Sequence, residues 1–344
     1  MNRLCYISHN YYKGGNKAKN DIECILTGIG AVNIGLKRTD INSKVISFVV
    51  NLVGILKACL LMRKGDTIVL QYPLKKYFSF VCHVAHLKGA NPICIIHDLG
   101  AFRRKKLTVK QEMKRLLNCD YIIASNKVMA LWLKKQGLKK PLGDLGLFDY
   151  LSKGGDVAED AGSGDGKRKV VFAGGLSMKK TAFIVKLSEC SLTSWLLDVY
   201  GNKDDLQGVQ ENSQISFKGF IPSEEFVNHV KADFGLAWDG NSIDTCSGNF
   251  GEYLRWNSPH KVSFYLRSGL PVIIWREAAV ASLIEQFGVG ITINSLEELN
   301  QKLASLSDEQ LLSMKVNAKN LAKKLNEGYF LKQALLNYQN QLDV

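Results

Sequence analysis

The sequence predicts an α/β protein built from two Rossmann-like, doubly wound domains that face each other across a cleft. Two observations carry that expectation. Ten short apolar, β-rich runs recur along the 344 residues with amphipathic helical segments between most of them, the pattern of parallel sheets covered by helices. Most of those runs then end in small or polar residues: Ser8-His9-Asn10, Tyr72-Pro73, His97-Asp98, Ser125-Asn126, Gly174-Gly175, Gly201-Asn202, Gly219-Phe220 and Asp239-Gly240. Doubly wound sheets bind ligands in the crevice outside the carboxyl ends of their strands, so these are the first places to look for a site.

Taken in order, strands are expected at 4–7, 67–71, 92–96 and 121–124 in the first domain. In the second they are expected at 169–173, 195–200, 215–217, 234–238, 272–275 and 290–293. The apolar run 45–62 contains Ser47, Asn51, Gly54 and Lys57; it falls short of a clean span of about 20 apolar residues and reads as a buried strand and helix. Residues 153–167, rich in Gly and Asp and without apolar periodicity, read as a linker between a first domain at 1–152 and a second at 168–327. Beyond it, 296–325 reads as helical and polar on one face, and 329–338 has apolar spacing suited to packing on the body of the protein.

Composition narrows the function classes. Eight cysteines are scattered singly, several inside apolar runs, with no Cys-x-x-Cys pair; they read as reduced core residues. The first eight residues read as a strand, unlike a signal peptide, which points to the cytoplasm. Charge is lopsided: residues 1–150 hold 25 Lys and Arg against 9 Asp and Glu, a net +16, while the rest of the chain nets −3. Arg103 to Lys106, Lys110, Lys114 and Arg115 interleave with Leu107, Val109, Met113, Leu116 and Leu117. That mixture suits an anionic membrane surface, where each cation contributes about 1 kcal/mol, and equally a solvated helix face. No zinc finger or RNP-type aromatic motif accompanies the charge, so nucleic acid is not the expected partner. A homo-oligomer stays open.

The most informative stretch is 233–275. A strand ending in Trp238 and Asp239 leads through a polar loop to Asn257, Ser258, Pro259, His260 and Lys261, which open a helix that stops at Ser268-Gly269 before the next strand. Ser258 is expected to cap the helix with Pro259 in its first position. Lys261 then puts a cation in the first turn, against the helix dipole, at a cost of about 0.3–1 kcal/mol unless an anion is shared. Phosphate is the natural anion for a helix start; the alternative is a lysine that is simply solvated. Gly174 and Gly175 end another strand with Lys179 and Lys180 close behind, so backbone N–H groups and a cation can approach a diphosphate together. A plain tight turn explains the two glycines as well.

These residues carry a resemblance. Asn16 to Asp21, Gln71-Tyr72-Pro73, Ile96-His97-Asp98, Phe172 to Leu176, Phe217 to Phe220, the lysine-bearing helix and Gly288-Val289-Gly290 together resemble GT-B glycosyltransferases. Among these they are most similar to the group of bacterial galactofuranosyltransferases and the glucosyltransferases that modify serine-rich adhesins. The resemblance implies an N-terminal acceptor domain, a C-terminal nucleotide-sugar domain and a terminal helix, 328–344, that crosses back to the first domain. It implies a UDP-sugar donor bound between the domains, mostly to the second, by Gly174, Gly175, Lys179, Lys180, Phe220, Trp238, Asn257, Ser258 and Lys261. It implies a saccharide or lipid-linked saccharide acceptor near Gly14, Gly15, Asn16, Lys17 and Tyr72, with galactofuranose as the transferred sugar. UDP-glucose-dependent transfer to protein-linked N-acetylglucosamine, and nucleotide or partner binding without catalysis, remain as alternatives.

The reaction needs a base for the acceptor hydroxyl, and Asp98 or His97, just past a buried strand, can supply it. A satisfied core histidine and a helix-capping aspartate are the competing readings of that pair. Glu277 and Glu285 fit the Glu-x7-Glu pattern of retaining GT-B enzymes, but both follow the strand at 272–275 that the pattern's second Glu should precede; they read as helix-surface residues. No Asp-x-Asp stands where it would chelate a metal nucleotide, and lysines with helix N-termini can stabilise a leaving diphosphate, so neither metal nor cofactor is expected.

Overall fold

The computed structural model describes residues 3–9, 17–39, 43–74, 77–103, 107–154, 166–210 and 213–342. The chain divides into two compact units, Met1–Asp149 with Gly328–Val344, and Tyr150–Glu327. Among the described residues twelve strands form two six-stranded sheets, every pairing parallel.

In the first unit β1 (Leu4–Tyr6), β2 (Val32–Asn33), β3 (Thr67–Tyr72), β4 (Asn91–Ile96), β5 (Tyr121–Ala124) and β6 (Leu142–Asp144) lie in the order β2-β1-β3-β4-β5-β6. The central strands β3 and β5 are buried throughout, as a sheet covered on both faces requires, and that is why they read as unbroken apolar runs. Ile68, Leu70, Cys94, Ile96 and Ile122 pack on Ala58, Val81, Leu116 and Leu133 from the covering helices.

The terminal helix, Tyr329–Leu342, belongs to this unit. Asp149 accepts the N–H groups of Phe330 and Leu331 at 3.1 and 2.8 Å, satisfying donors that a helix start leaves open. Farther along, Tyr338 meets Tyr121 at 4.9 Å between ring centroids.

One expectation is corrected here. Residues 45–62 form one helix, Lys44–Leu61, rather than a strand and a helix, and only 28% of it is buried. In the Val109–Leu116 helix Met113 and Leu116 are buried, and Glu112, fully buried, accepts the Tyr72 hydroxyl and the Ala101 N–H. Met113 and Leu116 are thus spent on the core, while Leu117 stays exposed alongside Lys110 and Lys114.

The second unit arranges β7 (Arg168–Ala173), β8 (Trp195–Tyr200), β9 (Ile215–Gly219), β10 (Phe234–Ala237), β11 (Val272–Trp275) and β12 (Gly290–Ile293) as β12-β11-β10-β7-β8-β9. Strand order reverses between β10 and β7. In a doubly wound sheet this switch point opens the crevice that ligands occupy.

Candidate functional site

At that crevice three side chains meet around the end of β7. Tyr265, on the helix His260–Arg267, lies flat against β10 because residue 235 is glycine; a Cβ there would fall 2.2 Å from the ring. Its hydroxyl accepts the Ala173 N–H at 2.7 Å, which ties the helix to the last residue of β7. One turn earlier on the same face, Lys261 runs over the Phe172 ring, its Nζ 3.8 Å from the centroid, and reaches the glycine that follows. Gly174 adopts φ +153°, and a Cβ on it would lie 3.9 Å from the Lys261 Cε.

The Lys261 ammonium is 3.2 Å from Asp239 Oδ1, and Lys180 Nζ stands 4.0 Å from Oδ2 of the same carboxylate. Backbone bonds hold the group together: Gly240 N–H donates to the Lys180 carbonyl at 2.6 Å, and Phe183 N–H to the Gly240 carbonyl at 3.1 Å. Burial pushes the Lys261 ammonium down to about 8; the Asp239 carboxylate opposes that shift and the Lys180 charge adds to it. Two cations thus share one anion beside a glycine turn.

A cavity of about 590 Å³ opens over this cluster. Its lining combines aromatic residues, Tyr150, Tyr200, Phe220 and Phe264, with the polar Asn202, Asp205 and Ser223. Tyr150 stacks on His260 at 4.8 Å, which makes a flat wall beside the helix start. Phe220 is 82% exposed, at the rim.

Of the residues expected at a donor site, Gly174, Gly175, Lys180, Phe220 and Lys261 line this cavity. Lys179 does not; it is exposed on the Met178–Thr181 helix, outside the lining. Trp238 is also corrected: it is fully buried, and its Nε1–H donates to the Ser242 carbonyl at 2.9 Å, so it braces the loop after β10. Asn257 and Ser258 fall outside the lining as well. The cap of the His260–Arg267 helix is Pro259 rather than Ser258, and no side chain caps it. Glu277 pairs with Arg255, and Glu285 accepts the Thr292 hydroxyl at 2.6 Å. The cavity residues that sequence reasoning missed are chiefly His260, Tyr150 and the pair Asn202 and Asp205, and with them Asp239, which pairs with the two lysines from outside the lining. Asp239 and Asn202 did stand at flagged strand ends; Tyr150 had no local signal.

Family models give the chain its place. One described as glucosyltransferase 3-like, C-terminal domain matches residues 170–338, and its N-terminal counterpart matches residues 4–147. Beta-1,6-galactofuranosyltransferase WbbI of Escherichia coli (strain K12) is 32% identical over 275 residues, 80% of this chain and 79% of that one. The chain belongs to the glucosyltransferase 3-like family. It is a glycosyltransferase of GT-B type. Solved structures agree on the fold. The lipopolysaccharide outer core galactosyltransferase WaaB, in its apo form, superposes with a TM-score of 0.58 at 10% identity, covering 98% of this chain and 99% of that one. An E. coli structure titled trehalose-6-phosphate, bound with UDP-2-fluoro glucose, gives 0.60 at 9% identity, covering 97% and 98%.

In the first unit of this glucosyltransferase 3-like chain, the strand order turns between β1 and β3, and buried polar groups gather at their carboxyl ends. Glu23 accepts the Ser8 hydroxyl at 2.7 Å and the Gln71 Nε2 at 3.4 Å, and pairs with the Arg38 guanidinium. Gln71 Nε2 also donates to the Lys19 carbonyl at 3.2 Å, so its Oε1 is left to accept from His97 Nε2, 2.8 Å away. The imidazole therefore carries its proton on Nε2. It stacks on Phe148 at 5.0 Å. Asp98, next in the chain, is only half-buried. The Gly100–Arg103 helix begins two residues beyond Asp98.

Tyr72 is corrected to a core residue: it is fully buried with its hydroxyl 2.5 Å from Glu112 Oε1, and burial together with that carboxylate raises the phenol well above its ordinary range. Lys17 opens the Lys17–Gly28 helix with its ammonium 2.6 Å from both oxygens of Asp21, one turn on. Gly14, Gly15 and Asn16 lie outside the described residues.

Proposed function

We propose that this glycosyltransferase moves a hexose from a UDP-sugar to a saccharide or lipid-linked saccharide acceptor in the synthesis of a cell-surface glycan, and that the sugar is galactofuranose. The observation that carries the donor is the Lys180–Asp239–Lys261 cluster beside Gly174, at the switch point of the second sheet. A diphosphate there meets two ammonium groups offset by a single carboxylate, and the flat wall of Tyr150 and His260 offers a stacking face for a base. Asp205 and Asn202 can accept ribose hydroxyls, and as the glycosidic bond to the donor breaks, the lysines stabilise the charge that develops on the leaving UDP. The likeness to WbbI supports galactofuranose; the family's description supports glucose as a second reading, with protein-linked N-acetylglucosamine as its acceptor.

Thermal shift with UDP and a panel of UDP-hexoses tests this. UDP at 100 times its Kd is expected to stabilise the native state by about 2.7 kcal/mol. No shift with any uridine nucleotide would remove the donor assignment, and a shift without turnover on any acceptor would leave a nucleotide-binding protein. Affinity is also expected to depend on pH in a definite direction. The Lys261 ammonium binds an anion only while protonated, and it loses its proton near 8, so affinity is full at pH 7 and declines as pH rises through about 8. Calorimetry from pH 6.5 to 9.5 checks this, and a flat profile would show that Lys261 does not face the nucleotide.

For location, we propose attachment to the cytoplasmic face of a membrane, supported by the net +16 of residues 1–150.

A further inference from the structure

The Lys44–Leu61 helix turns its larger apolar side chains outward. Ser47, Asn51, Gly54, Ile55, Ala58 and Cys59 form the packed face, and Gly54 brings the helix close enough to the chain that an added Cβ would sit 3.4 Å from the Leu36 nitrogen. Val45 and Leu60 are 72% and 79% exposed, and Ile46, Val49, Val53 and Leu56 lie in the open between them. Surface helices of globular proteins ordinarily do the reverse, and a contiguous apolar face of this kind marks an interaction site.

The helix cannot thread a bilayer, since Ile55 and Ala58, at 1% and 0% exposure, fix one side in the core of the first unit. It can lie along one, over about 27 Å. What covers the face follows from charge. Residues 41–65 contain no acid and four cations, Lys44, Lys57, Arg63 and Lys64. At the carboxyl end Lys88 Nζ sits 3.0 Å from the Leu60 carbonyl. A second copy of the chain would bring the same positive field against this face, whereas an anionic leaflet brings the opposite one.

We propose that the Lys44–Leu61 helix is an in-plane membrane anchor, its Val49, Val53, Leu56 and Leu60 ridge entering the acyl boundary of an anionic leaflet while the flanking lysines meet lipid phosphates. The proposal rests on the membrane attachment advanced above and names the element that achieves it; it is independent of the donor chemistry. Binding is then part apolar and part electrostatic, so salt weakens it without abolishing it.

The test is co-sedimentation of the full chain with vesicles of equal phosphatidylglycerol and phosphatidylcholine, and with phosphatidylcholine alone. The double variant Val53→Asp/Leu60→Asp is expected to lower partitioning to the anionic vesicles by roughly tenfold or more, with an unchanged melting temperature and an unchanged thermal shift by UDP. Leu56→Trp is expected to emit at shorter wavelength with the anionic vesicles only. Native-like partitioning of the double variant would overturn the anchor. If Lys110→Glu/Lys114→Glu releases the chain while the double variant stays bound, attachment survives and this helix is not its agent; a native chain indifferent to both lipids defeats both. A native dimer that the double variant converts to a monomer, with no change on vesicles, would assign the face to a second copy.

Discussion

Lys261→Met is expected to weaken UDP binding by about 1.5–3 kcal/mol, roughly 10- to 150-fold, the loss that follows removal of a hydrogen bond to a charged group. The side chain keeps 11% of its surface exposed, beside Gly174, and what it loses in hydration the Phe172 ring and Asp239 return only in part. A cation held there at a cost to the free protein is one that an incoming diphosphate can satisfy. The same geometry predicts a second effect, because Asp239 is left with Lys180 alone, at 4.0 Å. Breaking one side of a buried pair destabilises, so the single variant should melt below the native chain. Lys261→Met/Asp239→Asn removes the orphaned charge and should recover most of the melting temperature without recovering affinity. Recovery of affinity in the double variant would reduce Lys261 to a structural partner of Asp239.

The alternation that predicts two parallel sheets is legible because strands buried on both faces read as continuous apolar runs. Tyr121–Ala124, Trp195–Tyr200, Val272–Trp275 and Gly290–Ile293 stand where those runs place them, to the residue. Val32–Asn33 and Leu142–Asp144 leave no such mark. They are the edges of the first sheet, two and three residues long, and draw their pairing from β1 and β5 rather than from their own composition. Burial on both faces also explains the misplacing of Tyr72 and Trp238. Alternation cannot tell which face of a parallel strand looks toward a ligand, and both side chains turn into the core. The Lys44–Leu61 helix fails for a related reason, since a run of large apolar residues does not itself say whether they turn outward or inward. Lys261 stood out because a cation in the first turn of a helix breaks a local rule. The partnership of Lys261 with Asp239, 22 residues earlier in the chain, could come only from the fold.

Asp98→Asn is expected to lower kcat by about 10²–10⁴ with donor affinity and melting temperature nearly unchanged. Forming a glycosidic bond requires the acceptor hydroxyl to lose its proton, and of the two candidates after β4 we propose Asp98 for the role. The Nε2–H of His97 is committed to Gln71 and its ring to Phe148, inside a network that also holds Glu23 and Lys19. Asp98 is half-buried one residue beyond. His97→Leu should therefore behave differently, lowering the melting temperature by leaving Gln71 Oε1 without its donor, at a cost of about 1–3 kcal/mol. If Asp98 is the base, turnover falls in Asp98→Asn at an unchanged melting temperature and is kept in His97→Leu at temperatures where that variant stays folded. A folded Asp98→Asn enzyme with native turnover would pass the role to another group, and one that melts early with proportionate loss of activity would make Asp98 a structural residue.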